Sequence, residues 1–505
     1  MNIRIIDLMA QSGVRFGTSG ARGLSDHMTD HICYAYTRGF LQYLQESGQD
    51  IGSGRKVAIA GDLRSSTDRI MQAVGSAAVD MQYEVINCGK IPSPAIALYG
   101  LEKQIPTVMV TGSHIPDDRN GIKFNTAAGE ILKDDETGIK QQQIIIDDDL
   151  FDKHGRFLRR TSLDEWTVND DAAEIYVQRY LNFFSSTALS GKKIGLYQHS
   201  AVGRDILFNI FTSLGAEVTK LGFSEQFIPV DTEAIREEDV RLAKEWARQY
   251  SFDAIISTDG DSDRPLIGDE KGMWLRGDIS GILCAHFLGA DSISIPVSCN
   301  SAAEKCGFFK EVRRTRIGSP YVIASMKDAV NAGFEVVVGY EANGGFLTAS
   351  AIKANGRTLR PLPTRDAVIV QIGTMMLAES IGKSVSKLVA DLPARFTTSD
   401  RLKNFPLEES SAILKRFSSG DVSRDNENIE AVFGSLCGKV ASIDYTDGLR
   451  INFENGEVVH LRPSGNAPEF RCYNETGSQQ RVKEMNKACI NILEGMRGKQ
   501  SETTL

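Results

Sequence analysis

The stretch Val108-Met109-Val110-Thr111-Gly112-Ser113-His114-Ile115-Pro116 is a short apolar run that ends abruptly in a small, polar, proline-closed turn. It reads as a buried parallel strand, and in open α/β sheets reactive groups collect just beyond the carboxyl ends of such strands. Gly112 lets the backbone turn tightly and Pro116 stiffens the exit, so Ser113 is expected on a defined loop at the mouth of a cleft. Taken alone the segment is also an ordinary strand-to-loop turn containing a serine. Its neighbours decide between the two.

Upstream, Arg15-Phe16-Gly17-Thr18-Ser19-Gly20-Ala21-Arg22-Gly23 reads as a flexible basic loop able to approach an anion. A helix through about Glu46, a strand at Lys56–Ala60 ending in Gly61-Asp62, a helix over Ser66–Met81, a strand at Tyr83–Asn87 and a further helix then lead to the serine strand. After a stretch from Lys133 to Asp149 that reads as an acidic loop, and a helix at Ala172–Phe184, the β-α-β-α-β order recurs. Strands at Lys193–Tyr197, Glu217–Lys220 and Ala254–Ser257 form the second unit. Strands at Ser292–Ile295, Lys310–Arg314 and Glu335–Val338 form the third. The last strand of each unit runs into a polar loop, at Thr111–Pro116, Thr258–Arg264 and Tyr340–Gly345. If the units are copies of one α/β fold, those loops converge on a shared cleft.

The second loop, Thr258-Asp259-Gly260-Asp261-Ser262-Asp263-Arg264, sets three carboxylates at alternate positions. On an extended loop they project to one side, where a cation between them relieves their repulsion. A hard divalent ion, Mg2+, suits all-oxygen ligands that leave positions for water or a phosphoryl oxygen. The EF-hand alternative fails because Arg264-Pro265 follows where that loop needs further ligands. In the third loop Glu341 and Asn343 form a pair able to clasp vicinal hydroxyls. Beyond a boundary near Pro393 the chain changes character, with strands at Ala441–Tyr445, Leu449–Phe453 and Val458–Leu461 leading to Arg462-Pro463-Ser464-Gly465-Asn466-Ala467-Pro468-Glu469-Phe470-Arg471. That segment combines charge, hydroxyl, amide and backbone donors, as a phosphate cradle does. A helix over about Ser478–Met496 follows.

At 505 residues the chain exceeds one hydrophobic core, and three or four domains are expected. The net charge of -9 and the lack of any dense Lys/Arg block argue against a nucleic-acid surface. Eight scattered cysteines without a CxxC pair fit neither a zinc site nor a secreted disulfide framework, and no apolar run approaches a membrane span. A cytoplasmic protein with small-molecule partners is expected, with no nucleic acid and no membrane; the oligomeric state is left open.

With these motifs assembled, the sequence resembles the α-D-phosphohexomutase family, which includes phosphoglucomutases, phosphomannomutases and phosphoglucosamine mutases. Four motifs match in family order and cover nearly the whole chain: Thr111–Pro116 with Asn120-Gly121-Ile122-Lys123, Asp259–Arg264, Tyr340–Gly345, and Arg462–Arg471. The resemblance implies an α/β fold: three similar mixed α/β domains plus a smaller α+β C-terminal domain around a central cleft. The expected divisions are 1–165 with the phosphoserine loop, 166–268 with the metal-binding loop, 269–393 with the sugar-binding loop, and 394–505 as the phosphate-binding domain. It further implies that Ser113 is phosphorylated and that Asp259, Asp261 and Asp263 hold Mg2+ together with its phosphoryl oxygen. Glu341 and Asn343 would bind sugar hydroxyls, while Arg462, Ser464, Gly465, Asn466 and Arg471 would bind the remote phosphate. Arg22 and Lys123 would lie near the transferring group and Arg264 would bind substrate, with Lys123 first and His114 second as acid/base candidates. A lysine could take that role only with its pKa lowered by burial or neighbouring cations.

The chain departs from the commoner family pattern at Gly112 and Ile115, where Ala and Asn are usual, and at Asn466-Ala467, where Thr-Glu is frequent. The sugar loop, often Gly-Glu-Met-Ser-Gly-His in bacterial relatives, has Asn343 in place of the serine and Gly345 in place of the histidine. The expected reaction is reversible exchange between hexose 1-phosphate and hexose 6-phosphate through a hexose 1,6-bisphosphate, which also acts as activator. Mannose phosphate is preferred, ahead of glucose and then glucosamine phosphate. The rival readings are a phosphatase using the same serine and a sugar-phosphate-binding paralogue without activity.

Overall fold

In the computed structural model, which describes residues 2–17, 20–50, 54–159, 166–464 and 468–497, the chain divides into two compact units. One comprises Met1–Ile293 with Gly318–Val389, the other Ser294–Ile317 with Ala390–Leu505.

The first unit opens with a sheet in the order Arg15–Phe16, Gly20–Leu24, Arg119–Thr126, Thr107–Val110, Lys56–Gly61, Glu84–Lys90. The serine strand Thr107–Val110 runs parallel to Lys56–Gly61 and antiparallel to Arg119–Thr126. All four of its residues are buried, as expected of a strand covered on both faces. The helix Asp30–Ser47 covers this sheet, with Thr29 Oγ1 accepting from Ile32 N at its start and Gly48 closing it at φ 70°. Its Phe40 stacks on Phe124 of the sheet with ring centroids 4.5 Å apart, in a core of fully buried Leu41, Val57, Ile59, Val74 and Val108.

A second sheet repeats the plan. Glu217–Phe223, Lys193–His199 and Ala254–Thr258 lie parallel, and Pro265–Gly268 returns antiparallel to the last. In the third repeat Val337–Tyr340 pairs antiparallel with Phe346–Thr348. Each polar loop therefore occupies the same place, between a strand and the antiparallel strand that follows it. The repetition is one of position in the fold.

Three expectations are corrected here. Gly20–Leu24 is an interior strand of the first sheet instead of a flexible loop. The acidic stretch after Lys133 holds the helix Lys133–Gln141, where Asp135 accepts from Leu132 N, and a strand at Gln143–Ile145. The last strand of the third unit lies at Val337–Tyr340, two residues later than its pattern indicates.

In the second unit an antiparallel sheet runs in the order Phe396–Lys403, Glu469–Thr476, Val458–Pro463, Leu449–Phe453, Val440–Asp444. The helix Gln479–Gly495, capped by Ser478, closes it over Phe405, Phe433, Leu461, Phe470 and Met485. Among the described residues no helix is long and apolar enough to cross a membrane.

Candidate active site

The serine loop is held from beneath by one arginine. Arg64 donates through Nη2 to the carbonyls of Ser113 (2.8 Å) and Ile115 (2.5 Å), and through Nη1 to those of Pro116 (2.6 Å) and Arg119 (3.0 Å). Its Nε pairs with Asp62 at 3.1 Å, with both side chains fully buried. The Asp62 carboxylate also accepts from Thr67 Oγ1 (2.8 Å) and Thr111 Oγ1 (2.6 Å), and Thr111 Oγ1 accepts from Ser113 N (2.7 Å). A Cβ at Gly112 would lie 2.6 Å from Arg64 Cζ, so the guanidinium occupies the space that the commoner alanine would need. Ser113 takes φ 58°, a left-handed conformation that a serine adopts only under such constraint. It lies on a loop, as expected, but is 1% exposed.

Its hydroxyl donates to Asp259 Oδ2 at 2.6 Å, and His114 Nδ1 lies 3.4 Å from Ser113 Oγ. The first and second polar loops thus meet, and Gly260 permits it, since a Cβ there would fall 2.7 Å from the Ser113 carbonyl. Asp259, Asp261 and Asp263 are all buried, with a carboxylate oxygen from each within 4.8 Å of the others. Buried Asp261 Oδ1 and Asp263 Oδ1 have no hydrogen-bond partner. Anionic oxygens left without donors at this depth fit a metal ion. Burial and the neighbouring Asp261 and Asp263 push the Asp259 carboxyl well above the usual range.

Two cations come from the antiparallel strands of the first sheet. Lys123 faces Gly20 and Arg22 faces Gly121 across the ladder, so each long side chain stands beside a residue with none. Those glycines are sterically required: a Cβ at Gly20 would sit 1.9 Å from the Ile122 carbonyl oxygen, and one at Gly121 would sit 2.8 Å from that of Thr111. Lys123 Nζ donates to Asp261 Oδ2 (2.6 Å) and Asp263 Oδ2 (2.8 Å), and Asp261 Oδ2 also accepts from Ser93 Oγ at 2.5 Å. Burial lowers the Lys123 ammonium, but Asp261 and Asp263 outweigh it and raise the pKa. The lowered lysine that acid/base work requires is therefore absent from this arrangement. Burial, with Arg264 and Arg22 adding repulsion, drives the His114 imidazole down to about 2. Arg22 is lowered to about 10, by burial first and Arg264 second.

The third loop reaches the same place through a residue the sequence reading passed over. Arg365 donates through Nε to Glu341 Oε2 at 2.6 Å, while its Nη1 stands 3.6 Å from Asp263 Oδ2. Asn343 shapes its own loop, with Oδ1 accepting from Gly345 N (2.9 Å) and its carbonyl from Thr232 Oγ1 (2.6 Å). A cavity of about 50 Å³ lies among Ser113, Arg22, Lys123, Arg264 and Arg365. Arg264 Nε sits 3.9 Å from Asp259 and 3.7 Å from Asp263.

In the second unit Arg462 and Arg471 lie directly opposite each other on adjacent strands, an arrangement that like charges disfavour without a counterion. Asp447 accepts from Arg462 at 2.9 Å and Glu469 from Arg471 at 3.3 Å, while Ser464 N donates to the Glu469 carbonyl. The expected contributions of Gly465 and Asn466 lie outside the described residues.

Arg64 and Arg365 are the residues missed by sequence reading. The first carried a signal, since Gly61-Asp62-Leu63-Arg64 places an acid and a base directly after a strand's carboxyl end. The second precedes Asp366, the N-cap of the helix Ala367–Ser380, where a cation opposes the helix dipole.

The chain matches the four domains of one family in order: phosphoglucomutase/phosphomannomutase alpha/beta/alpha domain I over residues 13–147, domain II over 174–272, domain III over 276–396 and the C-terminal domain over 402–492. It is 44% identical to a phosphomannomutase of Salmonella muenchen over 94% of each chain. A phosphoglucomutase/phosphomannomutase family protein of Burkholderia thailandensis superposes with a TM-score of 0.72 at 16% identity, covering 95% of this chain and 97% of that one. The N-acetylphosphoglucosamine mutase of Aspergillus fumigatus, solved in complex with GlcNAc-6P and magnesium, has a TM-score of 0.57 at 13% identity, covering 97% and 98%. From its four matched domains and its near full-length relative, the chain belongs to the phosphoglucomutase/phosphomannomutase family.

Proposed function

We propose that the protein interconverts hexose 1-phosphate and hexose 6-phosphate, with mannose phosphate as the preferred substrate, using Ser113 as a phosphoryl carrier. The observation that carries this reading is the 2.6 Å contact of Ser113 Oγ with Asp259 inside a cavity lined by Arg22, Lys123, Arg264 and Arg365. The preference for mannose rests on the Salmonella relative, ahead of glucose and then glucosamine phosphate.

Formal charge supports the reading. Four cations, Arg22, Lys123, Arg264 and Arg365, stand against four carboxylates, Asp259, Asp261, Asp263 and Glu341. With all four carboxylates ionised, as a cation between Asp259, Asp261 and Asp263 would leave them, the side chains sum to zero, so a divalent cation and a phosphoserine dianion would enter as a matched pair. The orphaned oxygens of Asp261 and Asp263 fit Mg2+, and magnesium in the Aspergillus relative agrees. When bound, the ion would supply Lewis-acid stabilisation of a phosphoryl oxygen.

The chain's own groups do the rest. In the forward half-reaction the P–Oγ bond of phosphoserine 113 breaks as the free sugar hydroxyl forms a bond to phosphorus, giving the hexose 1,6-bisphosphate. The bisphosphate reorients and returns its other phosphoryl group to Ser113. Arg22 and Arg264 offset charge on the equatorial oxygens, and the Arg64 cradle fixes the serine in line. Lys123 and, second, His114 stay the candidates for the hydroxyl proton, a role that requires the Lys123 ammonium to be released from Asp261 and Asp263, which hold its pKa up. Glu341 and Asn343 bind sugar hydroxyls, while Arg462, Ser464, Gly465, Asn466 and Arg471 hold the remote phosphate.

A coupled mutase assay with Mg2+ and trace hexose 1,6-bisphosphate, run on mannose, glucose and glucosamine 1-phosphates, tests the reading. Turnover greatest with mannose 1-phosphate and lost in Ser113→Ala is expected. Release of inorganic phosphate in place of isomer would make the protein a phosphatase, and no turnover by the folded, phosphorylated protein would make it a binding paralogue.

A further inference from the structure

At Gly345 there is no room for a side chain. A Cβ at Gly345 would lie 2.4 Å from Arg365 Cδ, 2.8 Å from Cγ and 3.0 Å from Nε. The space beside it is filled by an arginine that arrives from a different segment. That arginine is 5% exposed and lines the cavity beside Ser113.

Its placement is closely determined. Thr364 donates to Glu130 Oε1 at 2.6 Å, and Asp366 N donates to the Phe346 carbonyl at 2.9 Å. The Asp366 carboxylate accepts from the hydroxyls of Tyr176 and Tyr180. Nε is engaged by Glu341, yet among the described residues the two terminal nitrogens of Arg365 make no hydrogen bond. Nη1 stands 3.6 Å from Asp263 Oδ2, an ion pair too long for a hydrogen bond, so the donors of both terminal nitrogens stay open to an anion, and a planar fork suits phosphoryl oxygens.

We propose that Arg365 binds the substrate directly, its terminal nitrogens taking oxygens of the phosphoryl group held at Ser113 while its Nε keeps Glu341 aimed at the sugar. Gly345 leaves the room through which this cation reaches the cavity from behind the loop. One residue then ties the sugar-binding loop to the reaction centre. This inference rests on the mutase reading above.

The test pairs binding with turnover. Calorimetric titration of the wild type, Arg365→Ala, Arg365→Lys and Gly345→Ala with glucose 1,6-bisphosphate is expected to show affinity about 100-fold weaker in the alanine variant, since charge-assisted hydrogen bonds are lost. Arg365→Lys should recover little, because an ammonium cannot hold Glu341 and a phosphoryl group together. Gly345→Ala keeps every charge but displaces the arginine, and should weaken binding about tenfold. Millimolar guanidinium should restore part of the kcat of Arg365→Ala, which a purely structural role would not allow. Thermal melting identifies any variant that fails to fold, and in that case Gly345→Ala decides alone. A folded Arg365→Ala that binds bisphosphate as the wild type does, or an unaffected Gly345→Ala, would overturn the proposal. Failure of the mutase reading looks different: the wild type would bind bisphosphate and turn over no hexose phosphate.

Discussion

Replacing Arg64 by methionine removes the one side chain that holds the serine loop, while keeping much of its apolar length. The guanidinium serves four carbonyls, those of Ser113, Ile115, Pro116 and Arg119, and pairs with Asp62 where both side chains are 0% exposed. Removing one partner of a buried pair costs about 3–5 kcal/mol. Asp62 retains the hydroxyls of Thr67 and Thr111 and the amide of Arg64, which places the cost at the lower end, about 3 kcal/mol. For the compact unit that holds Arg64, Met1–Ile293 with Gly318–Val389, that lowers Tm by roughly 4 °C. The kinetic effect separates from the thermal one. Ser113 holds φ 58° against its own preference, and without the cradle the loop relaxes, so misplacement of the nucleophilic oxygen by about 1 Å costs on the order of 100-fold in kcat with little change in KM. Arg64→Lys should behave almost as badly, because an ammonium cannot fork to carbonyls on both sides. Differential scanning fluorimetry and steady-state kinetics at a temperature where every variant is folded make the check. A methionine variant that melts within about 2 °C of the wild type and keeps its kcat would refute the reasoning.

Gly112→Ala should destabilise the protein by roughly 1–3 kcal/mol in chemical denaturation, because its methyl group would press on Arg64, which four carbonyls hold in place. Lys123→Met should tighten Mg2+ binding measured by calorimetry while lowering turnover, since it frees Asp261 and Asp263 from an ammonium at 2.6 and 2.8 Å but removes a cation from the cavity; unchanged metal affinity would mean the lysine does not compete there. His199, fully buried with its Nε2–H donating to the Thr258 carbonyl, is pushed down to about 4 by burial from its ordinary 6.5. A depressed folded pKa means the neutral form stabilises the fold. That contribution is complete above pH 6.5 and is lost as pH falls towards 4, amounting to about 3 kcal/mol. His199→Gln should flatten the fall in Tm between those values.

The parallel strands were legible because they are continuous buried apolar runs, as at Val108–Val110 and Ala254–Ser257. The antiparallel strands that follow were not. Arg119–Thr126 mixes charge, amide and glycine, and Gly20–Leu24 has the composition of a loop because Gly20 admits backbone at 1.9 Å from its Cβ position and Gly23 the Val14 side chain at 2.8 Å. The helix Lys133–Gln141 buries only Glu136 and Ile139, so it carries no apolar stripe to read. At the site, the spacing of Asp259, Asp261 and Asp263 pointed to the acidic cluster, although the loop is a turn, with Ser262 N donating to the Asp259 carbonyl and Ser262 at φ 57°, instead of the extended segment expected. Arg64 and Arg365 act on loops 49 and 24 residues away, and such contacts exist only once the strands are packed.

The central claim is that Ser113 carries the phosphoryl group between positions of the sugar. Intact-protein and peptide mass spectrometry after incubation with a hexose 1,6-bisphosphate measures this most directly. The account predicts one added phosphoryl group on the Ser113 peptide, its loss on adding mannose 1-phosphate with Mg2+ as bisphosphate forms, and no label in Ser113→Ala. A phosphoryl group on another residue, or turnover that survives in Ser113→Ala, would contradict it.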